Sequence, residues 1–181
     1  MDNEELLYNP RSSEFIGCSM QQSWADLAVW EKFLADRTLG SLIELGTGYC
    51  GLSTFFLLQC IQRDLEFLTF DIKTNSRLDL PLATYLNLRS HFVQSDIINN
   101  PEIVIDAITC FPKPLILFCD NGKKREEVEL FVPHLSPGDY VVVHDWPAEI
   151  NADDMKGFSI TPIMHEECEE WFSYTRFWRV K

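Results

Sequence analysis

A chain of 181 residues with 46% hydrophobic and 24% charged content can bury the core of one domain, and no apolar run approaches the roughly 18 residues of a membrane span. The formal charge of −13, with no Lys/Arg-rich run to offset it, repels phosphate backbones and argues against a nucleic-acid partner. Six cysteines without C-x-x-C spacing read as reduced, buried thiols rather than a disulfide framework or a zinc site, and the acidic start Met-Asp-Asn-Glu-Glu is unlike a signal peptide, so a cytoplasmic protein is expected.

In chain order, Trp24 to Arg37 comes first, with apolar residues at Trp24, Leu27, Ala28, Trp30, Phe33 and Leu34. That spacing predicts a helix packed on a sheet, so residues 1–40 form an N-terminal segment and helix of a single domain over 1–181. A strand over 42–45 then runs into Gly46, Gly48 and Gly51, which fit G-x-G-x-x-G with Thr47 inside the turn. Such a turn brings backbone N–H groups and a helix N-terminus up to a nucleotide. Glu44, two residues before the first glycine, extends it to E-x-G-x-G. A carboxylate there is awkward for a pyrophosphate but suits the positively charged amino acid half of S-adenosylmethionine. The turn by itself admits either a dinucleotide or a methyl donor.

A helix over Ser53 to Arg63 leads to a strand over 66–70, closed by Asp71, 20 residues after Gly51. An acid at that point accepts hydrogen bonds from both ribose hydroxyls of either cofactor, or it only caps a helix. A helix over Leu80 to Arg89 and a strand over 91–94 precede Asp96, placed for an adenine or again for a cap. Glu102 to Cys110, behind Pro101, reads as the next helix, 114–119 as a strand ending at Asp120, Lys123 to His134 as a helix, and 139–144 as a strand ending at His144-Asp145.

Reaction groups collect at the carboxyl ends of such strands. Asp120 and Asp145, with His144 or Asn121, have the donors for a hard divalent ion such as Mg²⁺, which would orient a substrate hydroxyl and lower its pKa. The plainer alternative is a His144–Asp145 pair that only fixes the loop before Pro147. The run Lys123-Lys124-Arg125-Glu126-Glu127 likewise reads as a solvated first helical turn.

Phe158 to Met164 and Trp171 to Val180 are rich in β-formers and are separated by the acidic stretch His165 to Glu170, read as a loop. Six residues hold no parallel crossover, so the two segments should pair antiparallel at one sheet edge. The expected class is α/β: a mostly parallel seven-stranded, Rossmann-like sheet with an antiparallel last strand and helices on both faces. An ordinary dinucleotide dehydrogenase would need a substrate domain for which no residues remain. His165 and Cys168 have metal-ligand spacing without a second pair to complete a site. Trp146, Trp171, Phe172 and Trp178 read either as a wall for a planar or sugar substrate or as core.

Phe-Ile-Gly-Cys-Ser-Met-Gln-Gln at 15–22, the helix from Trp24, Ile-Glu-Leu-Gly-Thr-Gly-Tyr-Cys-Gly-Leu-Ser-Thr-Phe-Phe at 43–56 and Leu-Ser-Pro-Gly-Asp-Tyr-Val-Val-Val-His-Asp at 135–145 resemble, in this order, the cephalosporin hydroxylase and rhamnosyl O-methyltransferase family. The resemblance implies a class I methyltransferase fold that binds S-adenosylmethionine, with a divalent metal in many members and small molecules or sugars as acceptors. It puts Glu44, Gly46 and Gly48 at the methionine moiety, Asp71 at the ribose and Asp96 near the adenine. Cys50 stands where the family usually has glycine, and Asp120-Asn121-Gly122-Lys123 replaces its Asp-x-x-His. The same stretch is similar to catechol-type O-methyltransferases, which implies Lys123 as the base that removes the hydroxyl proton, although Asp145-Trp146 replaces their Asp-Asn ligand pair.

The expected activity is S-adenosylmethionine-dependent methyl transfer to a small molecule, at a hydroxyl oxygen. The alternative is a nucleotide-binding Rossmann-like protein without methyl transfer, either a binding module or an NAD-dependent enzyme. A homo-oligomer through an exposed edge strand or the N-terminal helix is a further expectation.

Overall fold

A computed structural model describes residues 13–74 and 76–181 of the protein; residues 1–12, part of the predicted N-terminal segment, lie outside the described residues. A short antiparallel ribbon, β1 (Glu14–Phe15) and β2 (Cys18–Ser19), is followed by helix α1 (Trp24–Ala35). Then come β3 (Ser41–Leu45), α2 (Gly51–Arg63), β4 (Glu66–Asp71), α3 (Pro81–Tyr85), β5 (Phe92–Gln94), α4 (Glu102–Cys110), β6 (Leu115–Cys119) and α5 (Lys124–Phe131). β7 (Tyr140–Val143), β8 (Ile160–Ile163), α6 (His165–Glu170) and β9 (Arg176–Val180) complete the chain.

The seven-stranded sheet has the order β5-β4-β3-β6-β7-β9-β8. β3 to β7 are parallel, and β9 lies antiparallel between β7 and β8; the connection from β8 to β9, residues 164–175, contains α6 and is longer than the six residues expected. Period-two alternation sends successive residues of each strand to opposite faces, and both faces are covered. In β6, Ile116 and Phe118 pack with α1 and α2 around Trp30, whose ring meets Phe56, Phe118 and Phe177 edge-on. Leu115, Leu117 and Cys119 pack on the other side with Val104 and Ile108 of α4 and Val128 and Phe131 of α5. All six cysteines are free and only Cys110 is exposed, the pattern expected of thiols used as small hydrophobes.

Three local expectations change. The helix expected over 80–89 stops at Tyr85, because Asn87 takes a left-handed φ of 55° and starts a 3-10 turn at Leu88–His91. The expected acidic loop 165–170 is one helical turn, α6: it buries Cys168, whose N–H donates to Met164 O at 3.0 Å, and leaves most of its acids toward solvent. Of the expected strand Trp171 to Val180, only Arg176–Val180 joins the sheet, since residues 173–175 spend their polar groups on Asp26 of α1. Edge strand β8 contains Pro162, a residue that suits an edge, where a missing N–H breaks no ladder within the sheet. No helix among the described residues is long and apolar enough to cross a membrane.

Candidate active site

β3 is the strand from which the chain winds both ways, toward β4 on one side and β6 on the other, so a crevice opens at its carboxyl end. A cleft of about 250 Å³ lies there, lined by the turn from Gly46 to Leu52, by Asp71 and Asp120 from the ends of β4 and β6, and by Gln21 and Gln22. Gly46 has φ +107° and sits so close to the Asp120 backbone that a Cβ would lie 2.5 Å from Asp120 O. Only glycine allows this approach, which joins the ends of β3 and β6. At Gly51 an added Cβ would strike the carbonyls of Cys18 and Ser19, so the start of α2 rests directly on the β1–β2 ribbon. Asp71 Oδ2 accepts from Gly48 N–H at 3.0 Å and Oδ1 from Lys73 N–H at 3.1 Å. A carboxylate has about four lone-pair sites, so Asp71 retains capacity for two hydroxyl donors.

Cys50 caps α2 with φ 68° and is fully buried. A β-branched residue tolerates this conformation poorly. Cys50→Val is therefore expected to lower stability by about 1–3 kcal/mol, and Cys50→Gly to stay within about 1 kcal/mol of the parent because relieved strain offsets lost burial. Thermal melting of both variants checks this; a valine variant that melts with the parent would show the backbone is not held there.

Glu44 does not line the cleft. Alternation along β3 turns it to the α2 side, where it is fully buried and its Oε2 accepts from Ser53 Oγ and from Thr69 Oγ1 at 2.6 Å. Burial pushes its carboxyl up to about 8, with Ser53 and Thr69 opposing that and Asp120 and Asp71 adding to it. Thr69 Oγ1 lies 2.7 Å from Thr47 Oγ1, so a hydroxyl pair connects this carboxyl to a residue of the cleft wall. Glu44 Oε1 has no hydrogen-bond partner among the described residues.

Beside the cleft stands an ion network. Asp120 Oδ1 and Asp145 Oδ1 lie 3.4 and 3.3 Å from His144 Nδ1, and Asp26 Oδ2 lies 3.6 Å from His144 Nε2. Burial disfavours the imidazolium, but Asp120, Asp145 and Asp26 outweigh it and hold His144 well above the usual histidine range. Lys124 Nζ reaches Asp145 Oδ2 at 2.6 Å, Glu149 Oε2 at 2.9 Å and Asp120 Oδ1 at 3.3 Å. Burial opposes its charge too, and the same carboxylates raise it above the usual lysine range. Against their own desolvation, Asp26 and Asp145 are held well below the usual carboxylate range, Asp26 by His144, Ser173 and Ser23, and Asp145 by His144 and Lys124. Asp145 takes φ 59°, a conformation Asp accepts better than most residues, and is about one-third exposed.

The structure thus gathers Gly46, Thr47, Gly48, Gly51 and Asp71 at one cleft, with Asp120 shared between that cleft and the cluster holding His144 and Asp145. Asp120, His144 and Asp145 each offer a ligand atom within 4.8 Å of the others, a spacing a metal ion could use. Lys123 stands apart, mostly exposed and paired with Glu126 at 3.2 Å. Asp96 accepts from the N–H and Nδ2 of Asn99 and so closes its own turn. The four aromatics separate: Trp146 and Trp178 face each other at 5.5 Å beside His165, Trp171 lies under Lys32, and Phe172 points outward. Sequence reasoning missed Lys124, Asp26, Gln22 and Glu149. For Lys124 a signal existed in its i, i+4 spacing from Asp120, and for Asp26 in the capping box from Ser23.

No protein-family model matches the chain, and no curated protein sequence matches it. Solved structures do. A Mg- and SAM-containing form of CmcI superposes with a TM-score of 0.72 at 17% identity, over 94% of this chain and 78% of that one. MycE, a methyltransferase from the mycinamycin biosynthetic pathway in complex with Mg, SAH and mycinamycin VI, gives 0.54 at 15% identity over 87% of this chain and 49% of its own. A Staphylococcus aureus protein assigned as a caffeoyl-CoA O-methyltransferase gives 0.58 at 13% identity over 86% and 82%. The fold is therefore the Rossmann-like methyltransferase fold, with its mostly parallel seven-stranded sheet and antiparallel last strand.

Proposed function

We propose that the protein is an S-adenosylmethionine-dependent methyltransferase that modifies a hydroxyl oxygen of a small molecule. The observation that carries the reading is the glycine turn 46–51 at the sheet's switch point, with Asp71 across the cleft at 3.0 Å from Gly48 N. The turn takes the methionine portion and Asp71 the ribose hydroxyls. CmcI and MycE, structures of the same fold that contain S-adenosylmethionine or its demethylated product, support the cofactor. The acceptor approaches the cleft at Asp120, the one wall residue that also belongs to the cluster with His144 and Asp145. Rate enhancement comes mainly from in-line placement of the acceptor oxygen against the methyl sulfonium. As the oxygen takes the methyl group and the C–S bond breaks, the hydroxyl proton passes to a carboxylate, for which Asp120 at the cleft wall is placed.

A divalent ion on Asp120, His144 and Asp145 would orient the acceptor hydroxyl and ease its deprotonation. As arranged, however, Lys124 Nζ already contacts Asp120 Oδ1 and Asp145 Oδ2, so an ion there would compete with the ammonium for these carboxylates. The reaction above therefore runs through this chain's own residues.

Calorimetry with S-adenosylmethionine, S-adenosylhomocysteine and NAD tests the cofactor. Asp71→Ala is expected to weaken S-adenosylmethionine by about 2–3 kcal/mol, roughly 30- to 150-fold, through two lost charge-assisted hydrogen bonds. Tighter binding of NAD would sink the reading. Tight S-adenosylmethionine binding without transfer of labelled methyl to any member of a hydroxyl-rich metabolite panel would favour a binding module.

A further inference from the structure

Lys124 is the least expected member of the site. It begins α5 four residues after Asp120, and its side chain is 2% exposed although it carries a full charge. An ammonium has three N–H donors, and three carboxylates face this one: Asp145 at 2.6 Å, Glu149 at 2.9 Å and Asp120 at 3.3 Å. Its Nζ lies between Asp120 Oδ1 and Asp145 Oδ2, and those two carboxylates with His144 are the groups that would hold a metal here. His144, set between the same two carboxylates through Nδ1 and facing Asp26 through Nε2, closes the remaining side.

We propose that Lys124 is the resident cation of the Asp120–Asp145 pair, so that its ammonium takes the place of a divalent ion and excludes one. The lysine neutralises the two carboxylates and fixes their spacing, and Glu149 anchors the ammonium from the loop beyond β7. The ammonium donates to Glu149 and is ion-paired with Asp145 and Asp120 within the protein. Its part is therefore to position the carboxylates, and the acceptor hydroxyl meets Asp120 rather than a Lewis acid. Lys123 does not share this part, because it faces Glu126 at the surface.

The inference rests on reading this corner as the acceptor end of a methyl-transfer site, but its test is a metal-binding measurement in which methyl transfer plays no part. Mn²⁺ is titrated into the purified protein and into Lys124→Met, following the free-ion paramagnetic resonance signal, with melting temperature measured in the same samples. The parent protein is expected to bind Mn²⁺ weakly and to melt at the same temperature with and without it. Lys124→Met is expected to bind one Mn²⁺ at least about tenfold more tightly than the parent and to melt higher in its presence. The added substitution Asp145→Asn should abolish that gain. Parent protein that binds Mn²⁺ as tightly as Lys124→Met, or a Lys124→Met that gains nothing, overturns the proposal. If Lys124→Met does not fold, Lys124→Gln carries the same comparison, and tight binding by the parent alone is decisive against it. Calorimetry with S-adenosylmethionine on the same samples reports separately on the cofactor reading.

Discussion

Asp26→Ala is expected to lower stability by about 3–5 kcal/mol, the cost of removing one partner from a buried charge network, and to lower Tm by roughly 10 °C. Asp26 is fully buried on α1. Its Oδ2 accepts from Ser23 N–H at 2.8 Å and Ser23 Oγ at 2.6 Å, completing a capping box. Its Oδ1 accepts from Ser173 Oγ at 2.6 Å, Tyr174 N–H at 2.9 Å and Thr175 Oγ1 at 3.1 Å. Alanine would strand these donors in the interior and take one of the three acids from around His144. Because the folded carboxyl is depressed, its contribution is complete above the unfolded value near 3.8 and is lost as pH falls toward the folded value. His144 has the opposite sign: its pKa is raised, so its contribution is complete below about 6.5 and lost as pH rises through the folded value. Urea unfolding between pH 3 and pH 7 should show a flatter acid limb for Asp26→Ala than for the parent. Equal stability of the two proteins at pH 7 would refute the role assigned to Asp26.

Glu44→Gln is expected to flatten the alkaline side of the stability profile. The folded carboxyl titrates at about 8 and the free group at 4.5, so between these values the folded state holds a proton that the unfolded state has released. Stability then falls as pH rises through that window and levels off above it. Each pH unit of the window is worth about 1.4 kcal/mol, which gives about 2–4 kcal/mol in all once relaxation of the buried site is allowed for. Glutamine has nearly the same shape and does not titrate. Glu127, buried under Asn121 and Lys123, is also pushed up to about 8 by burial and contributes a parallel slope that survives in the variant. Unfolding free energies at pH 5 and pH 9 should therefore differ less in Glu44→Gln than in the parent, with the remaining difference carried by Glu127 and His144. An unchanged difference would mean Glu44 is ionised throughout.

Much of the proposed cofactor end is readable from the sequence because it depends on local rules. G-x-G-x-x-G encodes backbone angles, and Gly46 has the positive φ that only glycine accepts freely. Asp71 is placed by counting through one helix and one strand, whose lengths vary little. Glu44 stands out as unusual in the sequence, but its direction is a matter of strand parity. Its place in β3 sends it beneath α2, onto Ser53 and Thr69, while the turn that follows the strand carries Gly46 and Thr47 to the cleft.

The proposed catalytic end is less legible, and the choice between two adjacent lysines shows why. Lys123 has φ −132° and ψ 45°, outside the helix, and α5 begins at Lys124. Each helical residue turns the side-chain direction by about 100°, so the start of the helix decides which lysine enters the acidic cluster and which meets solvent. Residue pattern alone does not locate that start, because neither the Asp120 loop nor Lys123 supplies a side-chain cap.

From the sequence alone came the α/β class, the parallel order broken by an antiparallel last strand, and the glycine turn with Asp71, since period, spacing and backbone angle are properties of neighbouring residues. Tertiary structure decided which charges meet. Asp26 and Ser173 are 147 positions apart, and Lys124 and Glu149 are 25. Their pairing is set by how helices and loops converge at one sheet edge, where burial makes an unpaired charge too costly to keep.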